Sequence, residues 1–180
     1  MNDLVAIWRA EHDNFSRLLD LLEKQVAAFH EGEQPDYDLM RDVVFYLRHY
    51  ADQIHHPQEN VVFARLLERD PGMKPQVDRL MQEHRVIGAA GETLLKHLDA
   101  VVGEALEPRS VVETAAATYL VYYRQHLAAE DKDVVPRAAE LLTPKDWAAV
   151  AAVPARPDPL FGDDPEARFR NLRRQIALEA

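Results

Sequence analysis

Apolar residues recur at three- and four-residue spacing through most of the chain, the period of an amphipathic helix packed on one side. Leu4, Trp8, Phe15, Leu18, Leu19, Leu22 and Val26 mark the first such stretch. The second runs from about Asp36, a helix-capping residue type, through Leu39, Val43, Val44, Tyr46, Leu47, Ile54, Val61, Val62, Leu66 and Leu67. Pro57 lies inside it and predicts a kink, because proline lacks the amide proton and its ring collides with the preceding turn. The third begins near Pro75 with Val77, Leu80, Ile87, Leu94, Leu95 and Leu98, and the fourth near Pro108 with Val111, Val112, Ala115, Tyr119, Tyr122, Tyr123 and Leu127. Helix breakers at Gly32/Pro35, Pro71/Gly72/Pro75 and Gly103/Pro108 separate the four, and no stretch alternates with period two for long. Long helices joined by short loops bury their stripes as antiparallel neighbours. The expected fold is therefore all-α, an up-down-up-down antiparallel four-helix bundle over residues 1–142.

Residues 143–180 read as a helical extension. Thr143-Pro144 resembles a capped helix start leading to Trp147 and Val150, and the proline-rich stretch from Pro154 to Pro159 reads as a linker. Asp164-Pro165 repeats the start signal ahead of Phe169, Leu172 and Ile176, whose neighbours Arg168, Arg170, Arg173 and Arg174 form a basic, solvated stripe. This last helix is expected to dock on the bundle or on a second copy of the chain, a homodimer being the second arrangement.

Composition narrows the chemistry. The 180 residues include no cysteine and eight histidines, so thiolate chemistry and disulfides are excluded and any metal must be held by nitrogen and oxygen. A formal net charge of −10 repels a phosphate backbone, which argues against a nucleic-acid partner. No apolar run approaches the roughly 20 residues of a membrane span and no leader-like segment opens the chain, so the expected setting is soluble and cytoplasmic.

Residues four apart on a helix lie one above the other, so a histidine and a carboxylate at that spacing can converge on one ion. The chain offers this twice, as His55 with Glu59 and as His126 with Glu130. His12 and His84 each follow a glutamate and precede an apolar stretch. His12 precedes His55 by 43 residues and His84 precedes His126 by 42, while offsets of 72, 71 and 71 relate His12 to His84, His55 to His126 and Glu59 to Glu130. Two copies of one helical hairpin would each supply the same three side chains. Helical rise supports the convergence: His12 and His84 lie roughly 12 to 15 Å into their helices, and Glu59 and Glu130 about 15 Å before the ends of theirs. Four imidazoles and two carboxylates at one level of a bundle suit first-row metals, with the carboxylates placed to bridge two ions.

This pattern, and the stretch His55-His56-Pro57-Gln58-Glu59-Asn60-Val61-Val62-Phe63, resembles the hemerythrin-like family of HHE cation-binding domains. The resemblance covers roughly residues 1 to 140. It implies a non-heme di-iron centre with an oxo or hydroxo bridge, ligated by His12, His55, Glu59, His84, His126 and Glu130, with dioxygen, nitric oxide or peroxide as the small ligand. Zinc or manganese would suit the same donors. Two departures stand out. The oxygen carriers have a further third-helix histidine where this chain has Leu80, and they place the last carboxylate where it has Asp131; Glu130 is preferred because it repeats the Glu59 spacing.

The remaining histidines have plainer expectations. His30 falls at a loop end, His97 faces outward, and His56 shares a face with His49 and lies outside the site. Tyr119, Tyr123 and Trp8 are expected as core residues that could also touch a ligand, while Glu11 and Glu83 reach a metal only if their helices rotate. The resemblance thus implies a protein that binds a small diatomic for sensing, storage or iron handling. The alternative is a di-iron enzyme that breaks down peroxide or oxidises a substrate at the open coordination position.

Overall fold

A computed structural model describes residues 2–178, and every regular element among them is helical. Helix α1 spans Asn2–His30 and ends where Gly32 turns to a φ of 77°, a left-handed conformation that suits glycine. The Arg109 guanidinium donates to the carbonyls of Ala28, Phe29 and Glu33, satisfying acceptors that this helix end leaves free. Helix α2, Tyr37–Tyr46, opens on Asp36, whose carboxylate accepts from the Leu39 amide at 2.9 Å.

The second long arm does not kink at one point. It changes winding, to a π-helix over Leu47–His55 that hands over directly to α3, His56–Arg69. The His56 amide donates to the carbonyl of Ala51, five residues back, as π winding requires. The disruption expected at Pro57 is thus spread over the nine residues before α3. Helix α4, Lys74–Val102, carries Pro75 in its first turn, and α5, Arg109–Ala129, follows Pro108. Another π segment, Glu130–Val134, continues α5 into α6, Val135–Leu141, again ending two residues before a proline, Pro136.

Packing pairs fix the arrangement. Phe29 meets Tyr37 and His12 meets His55, so the first two arms run antiparallel. Gly91 lies against Tyr119 and His84 against His126, so α4 and α5 do too. Across the hairpins, Phe15 faces Tyr123, and Arg48 faces Gly88 and Gly91. A Cβ on Gly91 would sit 2.6 Å from Arg48 Cδ and 2.9 Å from Tyr119, which explains a glycine inside this helix.

Helix α7, Pro144–Ala151, starts with a reciprocal cap between Thr143 and Asp146 and is tied to α3 by Arg69, 2.9 Å from Asp146. The proline-rich stretch is anchored by Asp158, which accepts from the Tyr46 hydroxyl at 2.9 Å. The last helix begins later than Asp164-Pro165 suggests, with a 3₁₀ turn at Ala167–Phe169 and then α8, Arg170–Leu178. Glu166 precedes it without a side-chain cap, so the aspartate-proline pair bends the chain instead of opening a helix. Phe169, Leu172 and Ile176 are buried against α1 and α2 of the same chain. Arg168 is not simply solvated, because its guanidinium lies over the Phe45 ring.

Two apolar clusters form the core. One surrounds Phe15, Leu18, Tyr46, Leu94 and Tyr119; the other gathers Trp8, Val62, Phe63, Leu80, Val134 and Trp147. The histidine rings touch both, Phe15 at 4.9 Å from His55 and Phe63 at 5.8 Å from His84.

Candidate metal centre

All four arms of the bundle bring the six singled-out residues together. His12 comes from α1, His55 from the end of the first π segment and Glu59 from α3; His84 and His126 come from α4 and α5, and Glu130 opens the second π segment. Glu59, His126 and Glu130 are almost wholly buried. The imidazole Nε2 atoms converge in two pairs, His12 with His55 and His84 with His126, each at 3.1 Å. Glu59 spans them: its Oε1 is 2.7 Å from His55 Nε2 and 3.3 Å from His12 Nε2, and its Oε2 is 3.2 Å from His84 Nε2. Glu130 spans them from another side, with Oε2 at 3.3 Å from His126 and 3.6 Å from His12, and Oε1 at 3.9 Å from His84.

The outward ring nitrogens explain how the inward ones are aimed. His12 Nδ1 donates to Asp131 and His55 Nδ1 to Glu11, both at 2.8 Å; His84 Nδ1 lies 3.2 Å from the Asn60 oxygen and His126 Nδ1 3.2 Å from Glu83. A proton held on Nδ1 leaves Nε2 as a bare lone pair, which is the tautomer a metal takes. Glu11 and Glu83 therefore orient histidines on the opposite arm of their hairpin and need no helix rotation. Asp131 is half exposed and holds His12, whereas Glu130 is buried at the centre beside His126.

Does this arrangement suit a cation? Two imidazole Nε2 atoms facing each other at 3.1 Å are held together by a proton on one of them or by a cation between them. Glu59 Oε2 and both Glu130 oxygens are buried and accept no well-directed hydrogen bond, although unpaired buried polar atoms are costly. Two overlapping donor groups, His12-His55-Glu59 and His56-Glu59-His84-His126, each have their ligand atoms within 4.8 Å of one another. The site fits a metal.

Electrostatics of the ion-free centre follow the same logic. Burial pushes the Glu130 carboxyl well above its ordinary value, and the Glu59 charge beside it pushes the same way. Burial works against ionising Glu59 too, but the His55 charge and hydrogen bonds with His12, His55 and His84 outweigh it and hold Glu59 well below the usual range. Burial disfavours a charged His55, yet Glu59 and Glu11 more than compensate and raise it to about 9. For His126 burial prevails over Glu83 and the value falls.

Several placements were not readable from helical spacing. His56 is buried at the centre with its ring stacked on His84 at 4.1 Å, not on a shared face with His49, which is exposed and stacks on Phe45. The π winding over Leu47–His55 separates the two and shifts their register. Trp8 is core and also touches the centre, its indole N–H reaching His12 Nε2 at 2.8 Å and Glu59 Oε1 at 2.7 Å. Tyr119 and Tyr123 are fully buried with hydroxyls that find no partner. Leu80 is buried among Trp8, Val62 and Phe63. His30 and His97 lie away from the centre, beside Glu113 and Glu107.

Comparison with known proteins agrees with the geometry. The family model described as the hemerythrin HHE cation-binding domain matches residues 3–138. Among curated proteins, a subunit of the eukaryotic translation initiation factor 3 of Eremothecium gossypii is 24% identical over 176 residues, which is 91% of this chain and 20% of that protein. The chain therefore spans about a fifth of the length of this relative. No solved structure matches significantly.

Proposed function

The chain belongs to the hemerythrin HHE cation-binding family, and from that premise we propose that it holds two iron ions and binds a small diatomic or peroxide-like ligand for sensing, storage or iron handling. His12 and His55 would hold one ion, His84 and His126 the other, with Glu59 and Glu130 shared. The observation that carries this reading is Glu59, one oxygen turned to each histidine pair. Two iron ions, when bound, supply reversible change between ferrous and ferric states; zinc or manganese would bind the same donors without that chemistry or with less of it. We assign the metal-binding unit to residues 1–142 and the extension to 143–180.

The protein's own groups limit what can enter. A cavity of about 30 Å³ beside the centre is lined by Trp8, Glu11, His55, Glu59, Val62 and Trp147. That is room for a water or a diatomic, since one water needs on the order of 10–15 Å³ of such space. An organic substrate occupies several hundred cubic ångströms, so oxidation of such a molecule is disfavoured. The larger groove of about 810 Å³ between α4 and α5, along Arg85, Ala89, Val111, Thr118 and Tyr122, is lined by none of the six residues. Trp8 restrains Glu59 through its indole N–H, and Trp147 of α7 lines the cavity. Among the described residues no helix is long and apolar enough to cross a membrane.

The test is anaerobic reconstitution with ferrous iron followed by absorption spectra under air and after its removal. A charge-transfer band that appears with air and fades on degassing is the expected result. Irreversible oxidation, or steady turnover of added peroxide, would favour the enzymatic alternative.

A further inference from the structure

Adjacent helical residues normally point about 100° apart, yet His55 and His56 are both buried at the same centre. His55 belongs to the pair with His12, whereas the His56 ring stacks on His84 at 4.1 Å with 13° between the planes and lies 5.6 Å from His126. A ring nitrogen of His56 falls within 4.8 Å of donor atoms on Glu59, His84 and His126. Its Nδ1 is 3.3 Å from Asp52 Oδ1, and Asp52 is itself paired with Arg48 one turn earlier. The other four histidines each have an acceptor on Nδ1 and turn Nε2 inward, whereas the Asp52 oxygen beside His56 makes no hydrogen bond with it.

The internal repeat says why a fifth imidazole belongs in this half. Offsets of 71 to 72 residues match Trp8 with Leu80 and His56 with Leu127. In the first copy, Trp8 donates to the centre; in the second, Leu80 offers no donor atom and Leu127, matched with His56, is an apolar core residue. The second pair therefore lacks a polar neighbour where the first has one, and His56 is the added group on its side. The π winding that ends at His55 delivers it, through the hydrogen bond from the His56 N–H to the Ala51 carbonyl.

We propose that His56 is a ligand of the ion held by His84 and His126, taking up the coordination that Leu80 cannot supply. This inference rests on the two-ion reading above and adds to it a residue that distinguishes the two ions.

The experiment uses the full chain loaded anaerobically with ferrous iron, in wild type, His56→Gln and His56→Leu. The leucine variant copies the matched Leu127 and so retains packing if glutamine does not fold. Iron per chain is counted, the weaker ion is titrated against a chelator, and imidazole scattering is measured at the iron absorption edge. Wild type should hold two ions with five imidazoles between them. Either folded variant should lose at least tenfold in affinity for the weaker ion only, with one imidazole fewer in the scattering. Unchanged affinity and unchanged scattering in a folded variant would overturn the role of His56 alone. A wild type that takes up fewer than two ions would overturn the two-ion reading and the inference with it, and is recognised before any variant is made.

Discussion

The two halves of the centre carry the same parts in the same order but are not equivalent. The His12-His55 half has a carboxylate on each Nδ1, Asp131 and Glu11, and a tryptophan N–H on the shared Glu59. The His84-His126 half has one carboxylate, Glu83, and one neutral amide, Asn60, with a leucine at the tryptophan's place and an extra imidazole beside it. Carboxylates on the outer nitrogen make an imidazole a stronger base and fix its ring. In the ion-free protein burial outweighs Glu83 and lowers His126, while Glu59 and Glu11 together raise His55 to about 9, although each ring has a carboxylate on Nδ1. The internal repeat thus keeps one arrangement of inner side chains while the outer partners, the tryptophan and the extra imidazole differ between the halves.

The comparison breaks most completely at the residue both halves share. Glu59→Ala removes the oxygen facing each pair and should reduce iron from two ions per chain to fewer than one, counted by elemental analysis of the folded protein. A Glu59→Ala protein that still holds two ions would mean the halves are independent. Next in size is Glu11→Gln, which keeps a hydrogen-bond acceptor but deletes the charge; it should weaken the ion at His12-His55 by about tenfold, the low end for loss of an orienting partner. Chelator competition at each ion checks it. The smallest expected effect is a gain: Asn60→Asp gives the second half the carboxylate that Asp131 gives the first, and should strengthen its ion by less than about tenfold. If Asn60→Asp leaves both affinities unchanged, outer charge does not set the difference between the halves.

The long helices were legible because their apolar residues keep a 3.6-residue period and their ends are punctuated by proline, glycine and Asp36. The convergence of His12, His55, Glu59, His84, His126 and Glu130 was legible from the repeated spacing. His56 was not, because its position depends on a π segment, and sequence periodicity assumes a regular helix. The partners Glu11, Glu83, Asn60 and Asp131 were also missed as orienting groups, since each acts on a histidine of another helix. A signal was there: Glu11 and Glu83 repeat the offset of His12 and His84, and Asn60 and Asp131 directly follow Glu59 and Glu130. Nor could spacing along the chain show that Trp147, from the extension, lines the small cavity.

Whether one chain holds two unequal iron ions across Glu59 is decided by Mössbauer spectra of the anaerobically loaded full chain, read beside the iron count and repeated on His126→Ala. Two ferrous quadrupole doublets of equal area from two ions per chain, one of them lost with His126, are expected. A single doublet from one ion or fewer per chain, unaltered by His126→Ala, would rule out the two-ion centre.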